Sequence, residues 1–412
     1  MADLKYLKKY SAETDICTLC GTCRTVCPVF LEEGTESSST RGRISLIHGL
    51  ISEELNFTKN LSGKMYACLN CRKCVEICPA NVNYADLITA AKVDINLSKT
   101  RYFRVTFLKY LFNSSIPLSN LSHKILRYFR KVINKNDLNT RNFIGKFVYN
   151  ILKLPNSAIL PPLPERFFFN MNNRHELVGE QKKRVALFLG CGGNFNYPET
   201  SDHLIGILRR NGIEVLIPEN QVCCGSPLLD NGSIKLAKNN ALKNLNIFNN
   251  LKDVSAIITQ CSNCTEMLNN QYRNFLEVGN FKIPVMNSIE FIRKENIPLS
   301  PRFSEKISTH AMLRTYKEQN IKDLIVSTVD SVFHKDNIIH FNDDKCCGAS
   351  ELYNIENYDT RKNITDKFLG NYTQQGVKYI ACNSFACIQK INEAASHLKS
   401  YIKAVGITDI FE

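Results

Sequence analysis

The chain has 412 residues, enough for two to four domains with sizeable cores. Hydrophobic residues make up 44% and charged residues 22%, which excludes disorder, collagen-like repeats and coiled coil as the main theme. Lys and Arg outnumber Asp and Glu by 52 to 39, a net charge of +13, and no uninterrupted apolar run is long enough for a transmembrane helix. The first ten residues carry Lys5, Lys8 and Lys9 but no apolar stretch, so no secretory signal is expected. The cysteines number 17, an odd total. Without a secretory signal, clustered cysteines in a reducing compartment point to metal or redox chemistry rather than a disulfide scaffold.

The first eight cysteines form two copies of one motif. Cys17-x2-Cys20-x2-Cys23-x3-Cys27-Pro28 is followed by Cys68-x2-Cys71-x2-Cys74-x3-Cys78-Pro79. This spacing is the signature of a ferredoxin holding two [4Fe–4S] clusters. Three thiolates on short loops wrap one cluster, and the fourth, turned away by its proline, serves the other. The expected ligand sets are therefore Cys17, Cys20, Cys23 and Cys78 for one cluster and Cys68, Cys71, Cys74 and Cys27 for the second. Zinc on four thiolates is the plain alternative, and two complete copies ending in Cys-Pro weigh against it. Residues 44–54, between the motifs, read as a helix, so the domain is expected to be a helical ferredoxin over residues 1–98.

Residues 99–180 contain no cysteine and much of the charge. Between Arg101 and Lys153 there are eleven basic residues and one acid, Asp137. Leu121, Ile125, Leu126, Phe129, Val132 and Ile133 share one helical face, while Lys124, Arg127, Arg130 and Lys131 share the other. A membrane-surface helix on anionic lipid is the favoured reading. A helix packed on its own protein comes next, and nucleic-acid binding last, so no nucleic-acid partner is expected. Pro155, Pro161, Pro162 and Pro164 then mark a linker.

From residue 181 onward, short apolar runs alternate with helical segments. Residues 185–189, 214–217, 256–259, 338–341 and 378–381 read as buried strands, and residues 198–210, 233–249 and 321–332 as helices. That alternation predicts α/β lobes with parallel sheets. The lobes repeat: Cys223-Cys224-Gly225 recurs as Cys346-Cys347-Gly348, and the same offset carries Cys264 onto Cys387 and Cys261 onto Ser384. The expected domains are 181–300 and 301–412. In the first, Cys191, Cys223, Cys224, Cys261 and Cys264 are expected to converge from the carboxyl ends of strands on one metal site. In the second, Cys346, Cys347 and Cys387 remain, with His310 and Cys382 as candidate substitutes, and a lobe without any metal is an equal alternative. Gly190-Cys191-Gly192-Gly193 follows a strand but has Phe195 where a dinucleotide loop needs its third glycine, so a flavin must come from another chain.

These residues resemble the CCG-domain iron–sulfur family. It includes the iron–sulfur component of glycolate oxidase, the C subunit of anaerobic glycerol-3-phosphate dehydrogenase and the B or D subunits of heterodisulfide reductase. The family spacing fits the Cys191–Cys264 set in full. Thr40-Arg41-Gly42-Arg43 is similar to the glycolate oxidase type, and Cys224-Gly225-Ser226-Pro227 with Asn231-Gly232 to the glycerol-3-phosphate type. The resemblance implies an α+β multidomain chain with tandem CCG domains and a third, non-cubane [4Fe–4S] cluster on the five cysteines. It implies an electron-transfer subunit that links an FAD-containing dehydrogenase to a membrane quinone, cytoplasmic and peripheral on the inner face of the cell membrane. The alternative is a thiol/disulfide redox enzyme acting at the Cys191–Cys264 site.

Overall fold

The computed structural model describes residues 4–98, 164–171, 176–181, 183–311, 319–341, 345–350 and 357–412. The basic segment with Lys124, Arg127, Arg130 and Lys131 lies outside the described residues.

The N-terminal module is helical. Its helices are α1 (Ser11–Ile16), α2 (Pro28–Glu33), α3 (Thr40–Ile51), α4 (Lys59–Tyr66), α5 (Lys73–Glu76) and α6 (Tyr84–Leu97). Local chemistry sets the ends. Pro28 opens α2 at the position where a missing N–H costs nothing. Ser39 and Thr58 cap α3 and α4 by accepting from the Gly42 and Leu61 amides at 2.9 and 3.1 Å. The helix read over 44–54 thus starts earlier, at the Ser39 cap, and ends at Ile51, before Glu53 turns left-handed with φ 65°.

Two parallel sheets follow. The first has strand order β2-β1-β3-β4, formed by Ile213–Leu216, Lys183–Phe188, Ile257–Thr259 and Val285–Asn287. The second has order β5-β6-β7, formed by Ile307–His310, Tyr379–Cys382 and Lys403–Gly406. Central β3 is buried along its length, as a strand covered on both faces must be. The principal helices of the first lobe are α7 (Pro198–Arg210), α8 (Ser226–Asp230), α9 (Ile234–Asn249) and α10 (Ser262–Glu266). Those of the second are α11 (Gln319–Val332), α12 (Tyr358–Gln374) and α13 (Phe385–His397).

The repeat seen in the cysteines extends to topology. The second lobe keeps a trace of a fourth strand as a parallel bridge from Ile307 to Ile338, matching the β1–β2 pairing of the first. Residues 338–341 do not form the full strand their apolar run suggested. Ile339 donates to the Ile307 carbonyl at 2.8 Å, but the Ile339 carbonyl is taken by the Ser308 hydroxyl at 2.6 Å, so a side chain replaces the next rung. Strands β4, β5 and β7 had no sequence assignment; each holds at most two consecutive apolar residues, too few to stand out as a run.

One core runs through all three units. Met65, Leu87 and Ile88 of the N-terminal module join Leu228 and Tyr272 of the first lobe and Ile388 of the second. A second core fills the lobe interface with Leu204, Ile289, Ile307 and Phe411. Polar contacts fix the arrangement. Arg72 pairs with Glu266 at 3.1 Å, Asn70 donates to Asp230 at 3.0 Å, and Lys367 pairs with Glu32 at 2.6 Å. The lobes meet where the Ser262 amide donates to the Asn383 carbonyl at 2.9 Å and the Tyr197 and Phe385 rings stack at 5.7 Å.

Candidate metal centres

Two thiol-lined clefts open in the N-terminal module. The first is lined by Cys17, Cys20, Cys23 and Cys78, with Cys74 at its edge. The second is lined by Cys27, Cys68, Cys71 and Cys74. Each motif therefore contributes its last cysteine to the cleft of the other. Pro28 begins a helix immediately after Cys27, which turns that thiol out of its own loop. Among the described residues no carboxylate or histidine lines either cleft, so the metal-ligand types there are thiols alone and suit iron–sulfur chemistry.

The two clefts differ in exposure. Cys20 is exposed and Cys17, Cys23 and Cys78 are half-buried, whereas Cys27, Cys68 and Cys74 are buried and only Cys71 of the second set is half-buried. The Thr22 hydroxyl lies 3.3 Å from the Cys20 sulfur and lowers its pKa. Burial pushes the Cys27 thiol up to about 11, partly offset by the Arg43 guanidinium. Cys71 is raised well above the usual thiol range, first by a hydrogen bond with Cys346 and then by burial. Thiols held this high bind iron only as thiolates, so loading releases protons.

Arg43 was not singled out as a functional residue by sequence. It is fully buried and donates from Nε to the Lys64 carbonyl at 2.8 Å and from Nη2 to the Ala67 carbonyl at 2.9 Å. It thereby ties α3 to the end of α4, directly ahead of Cys68, whose own carbonyl accepts from Lys92 Nζ at 3.0 Å. Arg43→Met leaves two carbonyls without their charged donor, at about 1–3 kcal/mol each. A lowered melting temperature of the anaerobic protein is expected, and an unchanged one would show that Arg43 does not hold this corner.

The five thiols of the first lobe meet at the carboxyl ends of β1, β2 and β3. Cys191 and Cys223 bring their sulfurs to 4.0 Å. Cys224 is held down to about 6 because it accepts hydrogen bonds from Cys223 and Cys264, while Cys264 is pushed up by its contacts with Cys224 and Cys261. Four of the five are buried, with Cys191 half-buried. Gly225, at φ 94°, makes the turn that lets adjacent cysteines face one site, and its amide donates to the Cys223 sulfur at 3.5 Å.

Polar residues beneath this turn also escaped the sequence reading. Asn244 accepts from the Val222 amide at 3.0 Å and donates back to the Val222 carbonyl at 3.2 Å. Asn240 donates to the Cys223 carbonyl at 3.2 Å, and the Tyr272 hydroxyl donates to the Cys224 carbonyl at 3.0 Å. The available signal was Asn240 and Asn244 at i, i+4 on one helix face.

The second lobe divides its cysteines. Cys346 packs with Cys27, Leu69 and Cys71 at the second N-terminal cleft rather than with Cys347 and Cys387. Cys347, Cys387 and His310 place their ligand atoms within 4.8 Å of one another. Cys382 is buried but directs its sulfur to the Ile380 carbonyl at 3.6 Å.

Among the described residues, no helix is long and apolar enough to cross a membrane. Residues 13–82 match the model of a 4Fe-4S dicluster domain, and residues 185–269 and 317–392 each match that of a cysteine-rich CCG domain. The chain is 24% identical to the probable glycolate oxidase iron–sulfur subunit of Bacillus subtilis (strain 168), over 96% of this chain and 92% of that protein. It is 25% identical to the C subunit of anaerobic glycerol-3-phosphate dehydrogenase of Escherichia coli (strain K12), over 57% of this chain and 62% of that one. It is 23% identical to the B subunit of fumarate reductase (CoM/CoB) of Methanothermobacter marburgensis, over 81% of this chain and 58% of that one. With a helical dicluster ferredoxin domain followed by two parallel-sheet cysteine-rich domains, the chain belongs to the CCG-domain iron–sulfur proteins.

Proposed function

We propose that this chain is the electron-transfer subunit of an oxidoreductase, taking electrons from an FAD-containing dehydrogenase and passing them toward a membrane quinone. The observation that carries the reading is the join between sites. Arg72, next to Cys71, pairs at 3.1 Å with buried Glu266, two residues beyond Cys264, so the second N-terminal cleft and the five-thiol site are neighbours across one ion pair. In this reading Cys17, Cys20, Cys23 and Cys78 hold one [4Fe–4S] cluster, and Cys27, Cys68, Cys71 and Cys74 hold the second. Cys191, Cys223, Cys224, Cys261 and Cys264 hold a third, of the non-cubane type. Such clusters supply one-electron transfer when bound. The protein keeps most of these thiols dry and leaves the Cys20 side open, which makes that face the contact for a redox partner.

The relatives support the partner class. Their names belong to components of glycolate oxidase and glycerol-3-phosphate dehydrogenase, so the donor is a small 2-hydroxy acid, such as glycolate or lactate, or glycerol 3-phosphate. The basic residues between 101 and 153 support peripheral attachment to the anionic inner face of the cell membrane. A second reading, direct thiol/disulfide chemistry at the five-cysteine site, draws on half-buried Cys191 and on the fumarate reductase (CoM/CoB) relative.

The test is anaerobic purification with and without the neighbouring flavoprotein. Expected are at least about eight irons per chain, the load of two four-iron clusters, and substrate-dependent reduction of a quinone analogue only when both chains are present. Turnover of a disulfide by the isolated chain would favour the second reading. Fewer irons would reject both.

A further inference from the structure

The degenerate second lobe has kept a coherent donor set. His310, Cys347 and Cys387 come from three separate segments, are 3%, 0% and 0% exposed, and hold their ligand atoms within 4.8 Å of one another. Each is fixed by its own support. His310 ends β5 with its ring edge-on to Phe368 at 4.8 Å. The Cys347 turn repeats that of the first lobe: Gly348 has φ 78° and its amide donates to the Cys346 sulfur at 3.4 Å, while the Thr365 hydroxyl donates to the Cys347 carbonyl at 2.9 Å. Cys387 lies in the first turn of α13.

We infer that His310, Cys347 and Cys387 form a mononuclear zinc-class site, separate from the iron–sulfur clusters. Two thiolates and one imidazole suit zinc, which takes mixed nitrogen and sulfur ligands in a tetrahedron. A four-iron cluster needs more sulfur than this corner offers, because Cys346 faces Cys71 and Cys382 faces the Ile380 carbonyl. Ser384 marks the fourth place. It stands where the repeat puts Cys261, is 1% exposed, and its hydroxyl has no hydrogen-bond partner among the described residues. A serine at this helix start ordinarily caps the helix, yet this one makes no cap bond. Its hydroxyl, or a water beside it, completes the tetrahedron. As thiolates, two buried sulfurs at this spacing are costly without a cation and stabilised by one.

The test is metal analysis and zinc-edge X-ray absorption on the anaerobically purified full chain. About one zinc per chain is expected, with two sulfurs near 2.3 Å and the remaining ligands near 2.0–2.1 Å, the usual zinc distances. Cys387→Ala and His310→Ala should each lose the zinc, with iron unchanged. If those variants fail to fold, the wild-type absorption spectrum still decides: a shell of sulfur alone, or no zinc in iron-replete protein, overturns the assignment. Zinc retained in a folded Cys387→Ala variant overturns it equally.

Discussion

Replacing Cys224 with alanine is expected to lower the iron content from about twelve to about eight per chain, the loss of one four-iron cluster. Quinone reduction by the complex should fall at least a hundredfold, while the signals of the two N-terminal clusters persist. Cys224 is the central donor of its set, touching both Cys223 and Cys264, whose hydrogen bonds lower its pKa. Alanine removes that sulfur without touching the Asn240, Asn244 and Tyr272 bonds, which end on backbone groups or on one another. The fold around the turn therefore survives. Iron analysis and low-temperature EPR on the same sample separate the outcomes. Unchanged iron with unchanged quinone reduction would remove this site from the route. Loss of all iron would mean that the lobe unfolds, and Cys224→Ser, which keeps the volume, then becomes the informative variant.

The second large effect is expected at Gly232, where the first lobe meets α6. Gly232 has φ 73°, and an added Cβ would sit 2.2 Å from the Lys92 carbonyl oxygen, a backbone atom that cannot swing aside. The same contact carries Asn96 donating to the Gly232 carbonyl at 3.1 Å, and Tyr66 donating to the Lys92 and Asn231 carbonyls at 2.9 and 3.3 Å. Gly232→Ala adds about 1–3 kcal/mol of overpacking to about 1–2 kcal/mol of left-handed backbone strain. Iron content should hold, quinone reduction should drop at least tenfold, and amide exchange should rise in both 84–97 and 226–234. Gly179→Ala supplies the control, because its φ of 77° is similar and nothing lies within 4 Å of the added methyl. Equal behaviour of the two variants would reject the docking argument.

How much was legible depended on distance along the chain. The paired x2-x2-x3-Pro motifs, the Cys-Cys-Gly duplication and the parallel α/β character could be read directly, because each rests on short spacings or on periods within one element. The helix at Pro198–Arg210 matches its sequence bounds, since Pro198 opens it and a strongly two-sided pattern runs through it. Strands β4, β5 and β7 were missed, because polar residues or glycine break their apolar runs to at most two residues.

The cysteine inventory by itself pointed to an iron–sulfur protein of repeated lobes, because two complete x2-x2-x3-Pro copies suit paired clusters better than zinc on four thiolates. Tertiary structure decided how the thiols of the second lobe divide. Cys346 accompanies Cys347 in every sequence argument, yet packing of α12 against α2 carries Cys346 to Cys71. The repeat nominated both His310 and Cys382 beside Cys347 and Cys387, and the fold chose His310: parallel strands align their carboxyl ends, so residues more than seventy apart meet there.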